Sequence, residues 1–105
     1  MSNMRGLSLK TYKRIEQILS LLRENQQMHV RGIARALNCH PFIADKIITD
    51  YLDFFLEKQG VNIYGFRAVL VRFKPGKENA KLEDVIKYIE LKRRIKASAK
   101  SPSRK

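Results

Sequence analysis

Apolar residues recur along this chain with two different periods. Ile15, Ile18, Leu19 and Leu22 are spaced three and four apart, as on one buried face of a helix, and Tyr12 extends the stripe by a turn. Ser8 is placed to cap this helix and the polar run Glu24 to Gln27 to end it, which predicts a first helix over 9–25. Val30, Ile33, Ala34 and Leu37 repeat the pattern over 30–37. Asn38 follows, one of the few non-glycine residues that accepts a left-handed backbone, so the chain turns sharply there. Pro41 suits the first position of a third helix, with His40 at its cap. Ala44, Ile47, Ile48, Tyr51, Leu52 and Phe55 carry the helical period onward and predict a helix over 41–58, closed by Gly60 as a left-handed C-terminal cap.

The pattern then changes. From Val61 to Phe73 the chain is β-branched and aromatic, with Tyr64-Gly65 suited to the tip of a short hairpin and Lys74-Pro75-Gly76-Lys77 to a turn. Helical spacing returns over 80–95, with Leu82, Val85, Ile86 and Ile89 on one face and Tyr88, Leu91 and Ile95 on an adjacent line. So wide an apolar face asks for more than one partner surface. The organisation expected is an arm over 1–7, a domain over 8–77, a C-terminal helix over 78–95 and a disordered basic tail over 96–105.

Composition sharpens this picture. A chain of 105 residues with 44% hydrophobic residues builds one small core. Its net charge is +12, and more than half of that lies in residues 92–105, which hold Lys92, Arg93, Arg94, Lys96, Lys100, Arg104 and Lys105 and no acid. Such a field selects polyanionic partners, nucleic acid first. A membrane surface fits less well, because no segment is a basic helix with a bulky exposed apolar face. The single cysteine, Cys39, excludes an internal disulfide and points to a reducing compartment. The N-terminal residues form no apolar leader, and a cytoplasmic, nucleoid-associated protein is expected.

The order helix, helix, helix, hairpin, helix, together with Val30, Ile33, Ala34, Leu37 and Asn38, resembles the winged helix-turn-helix DNA-binding family, in its small archaeal or archaeal-virus form. The resemblance covers residues 9–73. The small Ala34 lets two helices cross closely while Ile33 and Leu37 hold the crossing. The sequence departs from the family pattern at Asn38, where Gly is usual, at His40, where a hydroxyl residue is usual, and at Ala44, where a larger aliphatic side chain is common. The fold class implied is mostly α with a small β-hairpin, and the ligand implied is double-stranded DNA.

The resemblance further implies a third helix that enters the major groove by its N-terminal half, with His40, Phe42, Lys46 and Thr49 as base contacts. Phosphate contacts fall to Arg31 and Arg35 on the second helix, to Arg67 in the hairpin, and to Arg72, Lys74 and Lys77 beyond its tip, with support from Lys10, Lys13 and Arg14. The recognition surface is poor in Arg, so modest sequence specificity is expected. Asp45 and Asp50 face the negative backbone there unless they read cytosine or pair with Lys46. A homodimer is expected through Leu82, Val85, Ile86 and Ile89.

Other chemistry finds less support. His29, Cys39 and His40 lack zinc-ligand spacing, Asp45, Asp50, Asp53 and Glu57 lie along one predicted helix as a solvated face, and the five glycines form no phosphate loop. No enzyme, metal or cofactor is expected. Phe42 and Tyr64, the aromatic residues expected to be exposed, suit base stacking, which keeps an RNA-binding or ribosome-associated module as an alternative. The Arg-poor face of the third helix keeps a second one, a protein-interaction module inside a replication or transcription complex.

Overall fold

Ser8 begins the first ordered helix, where its Oγ accepts the Thr11 N–H at 3.1 Å. The computed structural model describes residues 8–100, and the backbone alone for Ile63 and residues 96–100. The predicted arm over 1–7 and the last five residues of the tail lie outside this range. The first helix, α1 (Leu9–Asn25), ends as expected, and Gln26 turns the chain at φ 61° while its N–H bonds the Leu22 carbonyl.

A short strand follows, β1 (Gln27–His29), and then α2 (Val30–Leu37). Asn38 has φ 57° and ψ 48°, the left-handed conformation that reverses the chain in one residue. Its N–H and that of Cys39 return to the Arg35 and Ala34 carbonyls. The next helix, α3 (Pro41–Tyr51), starts on Pro41, where the missing N–H has no helical partner to lose.

The third helix is shorter than predicted. It stops at Tyr51, Leu52 has φ −117°, and the Phe55 and Leu56 N–H groups both turn back to the Leu52 carbonyl. The chain then runs as β2 (Leu56–Ile63) and returns as β3 (Phe66–Phe73). Gly60 is therefore a mid-strand residue paired with Val69, not a helix cap. Tyr64 and Gly65, at φ 51° and 84°, make the hairpin turn. The sheet is antiparallel in the order β1-β3-β2. β1 reaches only Leu70, Val71 and Arg72 of β3, so towards the tip the hairpin is a two-stranded ribbon.

After a turn at Gly76, φ 84°, the last helix is α4 (Leu82–Lys100). Its helical backbone runs through residues 96–100, where a disordered tail is predicted. Lys-Ala-Ser-Ala-Lys is rich in good helix formers, and a helix already nucleated extends through such residues cheaply.

The core joins Ile15, Ile18, Leu19 and Leu22 of α1, Ile33, Ala34 and Leu37 of α2, Ala44, Ile47 and Ile48 of α3, Leu52, Phe55, Leu56, Val71 and Phe73, and Val85 and Ile89 of α4. Each large aliphatic side chain buried in this way stabilises the fold by about 1.5–3 kcal/mol. Val85 and Ile89 are 0% and 7% exposed within their own chain, which corrects the dimer surface expected from them. Leu82 and Ile86 are half-buried beside Glu16, Leu19 and Arg23 of α1. α4 wants several partners because it seals the open side of the three-helix body. Arg23 donates to the Ala80 carbonyl at 2.8 Å, and Tyr88 stacks on Phe54 at 4.9 Å with Phe55 edge-on to both rings.

Candidate nucleic-acid interface

The start of α3 is held by its own cap. His40 Nδ1 accepts the Phe42 N–H at 3.0 Å, and the His40 carbonyl accepts from Ile43 and Ala44. With Nδ1 as acceptor, the neutral imidazole carries its proton on Nε2 as a free donor. Ala44, Ile47 and Ile48 lock the inner face of α3 against the core, where Ala34 is 1% exposed and Ala44 fully buried, small enough for α2 and α3 to approach closely. What this leaves outside is Phe42, 68% exposed, and Ile43, with His40, Lys46, Thr49 and Asp50.

The four proposed base-contacting residues thus share the outer side of α3, but two of them already have partners. Lys46 pairs with Asp50 at 3.2 Å, one turn along the helix. Thr49 Oγ1 accepts from Lys58 Nζ at 2.8 Å, and the same ammonium meets Asp45 Oδ1 at 3.0 Å. Lys58 belongs to β2, so it ties the hairpin to α3 and neutralises the acid on that face. Sequence reasoning placed Lys58 at the end of a long helix and missed this role.

The expected row of carboxylates along one helix does not form. Asp53 lies in the turn after α3 and pairs with Lys92 of α4 at 3.4 Å, while Glu57 sits on β2 and pairs with Arg72 of β3. Glu57 and Arg72 are opposite one another in the hairpin register, which is why they meet. Burial alone pulls the Lys92 ammonium down, but the Asp53 carboxylate, with help from Tyr88, leaves it above its ordinary value.

The expected phosphate contacts divide in two. Arg31 and Arg35 are exposed on α2 and Arg67 is exposed near the hairpin tip, opposite Asn62, with its guanidinium reaching back along the ribbon beside Gly60. Arg72 is engaged with Glu57, Lys77 lies over the Phe54 ring at 4.3 Å, and Lys74 is half-buried with its N–H on the Phe55 carbonyl. The hairpin tip itself is aromatic: Tyr64 is 96% exposed and Phe66 76%.

Among the described residues, no three His, Cys, Asp or Glu side chains gather as metal ligands would, and no helix is long and apolar enough to cross a membrane. Set beside known proteins, the chain matches no family model, no curated protein and no solved structure.

Proposed function

We propose that this chain is a winged helix-turn-helix protein that binds double-stranded DNA, as a transcriptional regulator or an organiser of the nucleoid. The observation that supports this most is the pairing of a fixed α2–turn–α3 crossing with an outward face at the start of α3. That face offers the Nε2–H of His40, the apolar Phe42 and Ile43, and the Lys46 ammonium. A helix end of this kind fits the major groove, where Lys reads guanine and an apolar ring meets a thymine methyl. Arg31, Arg35 and Arg67 supply cations not engaged in the ion pairs of the α3 face, and they act on phosphates. Because Lys46 and Lys58 are shared with Asp50 and Asp45, base discrimination is modest and the affinity is mainly electrostatic.

A two-fold dimer would use the outer line of α4, where Leu91 and Ile95 are 54% and 59% exposed. Glu83 and Asp84 begin this helix, and Lys92, Arg93 and Arg94 lie towards its other end. An antiparallel pair of such helices sets opposite charges side by side.

One observation favours a second reading. Phe42 and Ile43 make the outer start of α3 apolar, which suits a protein partner in a larger complex. Binding of the full chain to random duplex DNA and to matched RNA, across a salt series, separates the readings. Duplex preference that persists near physiological salt, with a slope of several phosphate contacts, is the expected result. Collapse of binding at that salt, or a preference for RNA, refutes the DNA reading.

A further inference from the structure

Tyr64 occupies a backbone position that its side chain does not favour. Tyr64 and Gly65 both have positive φ, 51° and 84°, the signature of a tight hairpin turn whose first position ordinarily holds Asn, Asp or Gly. A bulky residue there is strained. Nothing in the fold compensates for it, because the ring is 96% exposed. Two residues on, Phe66 exposes 76% of its surface, and Arg67 beside it is also exposed. The tip therefore presents two solvent-exposed aromatic rings and a guanidinium on a ribbon that projects past the reach of β1.

We infer that the hairpin tip is a base-stacking site, with Tyr64 and Phe66 as platforms for unpaired nucleobases and Arg67 on the adjoining phosphate. The inference rests on the DNA-binding reading and adds a substrate class to it, DNA with locally unpaired bases such as a fork or a bubble. Rings stack on any base, so the tip is indifferent to sequence. The positively charged chain brings the strand to the tip, and Arg67 supplies charge complementarity where the rings meet it. A grooved protein surface would accept the same rings only with an apolar cavity, and it would not depend on the unpairing of DNA.

The test compares wild type with Tyr64→Asn and Phe66→Ala on a blunt duplex and on the same duplex ending in unpaired arms that carry 2-aminopurine. Wild type is expected to bind the fork about tenfold more tightly than the duplex, with a change in 2-aminopurine emission as bases stack on the rings. Tyr64→Asn should keep or raise the melting temperature, since Asn suits the turn, and keep duplex binding. It should lose the fork preference and the emission change. Phe66→Ala should lose part of both. Four results overturn the inference. They are a wild type with no fork preference, a Tyr64→Asn variant with undiminished fork preference, an equal loss on fork and duplex, and a loss explained by unfolding of both variants. A wild type that binds neither substrate near physiological salt refutes the DNA-binding reading itself.

Discussion

Replacing Lys58 with Met tests how the hairpin prepares the face of α3. Lys58 Nζ lies 3.0 Å from Asp45 Oδ1 and 2.8 Å from Thr49 Oγ1, and both acid and base are more than a third exposed. An ion pair this open contributes about 0.2–1 kcal/mol to folding, so the variant should melt within about 5 °C of the parent. On the proposed DNA-binding reading, its effect on affinity should be larger. Without Lys58, the Asp45 carboxylate meets the phosphates bare. At a separation of about 7 Å, like charges repel by ~0.6 kcal/mol in bulk water and ~2.4 kcal/mol at an effective dielectric near 20. An intermediate cost of about 1.4 kcal/mol corresponds to about tenfold weaker binding. Asp45→Asn should bind at least as tightly as the parent, since it removes the carboxylate itself. In the double variant no carboxylate is left to screen, so Lys58→Met adds little cost there and affinity stays close to that of Asp45→Asn. Fluorescence anisotropy on a labelled duplex, measured as a two-by-two cycle over a salt series, reads this directly. If Lys58→Met costs the same factor with Asn at position 45 as with Asp, the ammonium touches DNA itself and the screening argument fails.

Three further predictions address the fold. Ile33→Ala and Ile89→Ala should each cost about 2–5 kcal/mol in chemical denaturation, whereas Leu91→Ala and Ile95→Ala should cost under about 1 kcal/mol, because the first pair is buried and the second is open to solvent. Leu91→Asp combined with Ile95→Asp should leave the melting temperature nearly unchanged and convert a two-chain species to one chain in sedimentation; a parent that already sediments as one chain at micromolar concentration refutes the α4 pairing. Lys92 has its pKa raised above the ordinary 10.5 in the folded chain, so the stability it lends is complete below that pH and is lost as pH climbs through the folded value. The stability gap between the parent and Lys92→Met should therefore stay constant at neutral pH and close only in strong alkali, and a gap that narrows near neutrality contradicts the assignment.

The parts of this fold that local chemistry determines were legible in the sequence. The stripe from Ile15 to Leu22, the left-handed Asn38, the His40–Pro41 start of α3 and the Tyr64-Gly65 turn all stand where the pattern places them. The end of α3 was not. Phe55 continues the spacing of Tyr51 and Leu52, so a helix satisfies the period, yet the chain buries Leu52, Phe55 and Leu56 through a turn instead. Glu57-Lys58-Gln59-Gly60 has no strand propensity, and it becomes a strand because β3 pairs with it along its whole length. β1 depends on the same partner, since three residues such as Gln27 to His29 carry no pattern of their own. These two tertiary effects decided the candidate site. Moving residues 56–58 from helix to hairpin brought Lys58 across to Asp45 and Thr49, and it separated Asp53 and Glu57 onto different cations. The exposed aromatic tip was half legible: Tyr64 is expected outside, while Phe66, 76% exposed, is not among the aromatic residues that the pattern places at the surface.

The strand order β1-β3-β2 leaves β2 unpaired along one side, and β3 from Phe66 to Val69 unpaired on the other. Open edges of this kind are templates for a further strand, and two copies of the ribbon are complementary to each other. Against such pairing acts the mutual repulsion between molecules that each carry a formal charge of +12. Salt shortens the reach of that repulsion to about 8 Å at physiological strength, and a bound polyanion cancels it. On the proposed reading, the charge that would recruit a nucleic acid would also serve as the colloidal guard of the ribbon, and the guard would be lowered when the ligand arrives. A chain stripped of ligand in concentrated salt would then associate edge to edge, whereas one saturated along a duplex is spaced by the lattice it occupies.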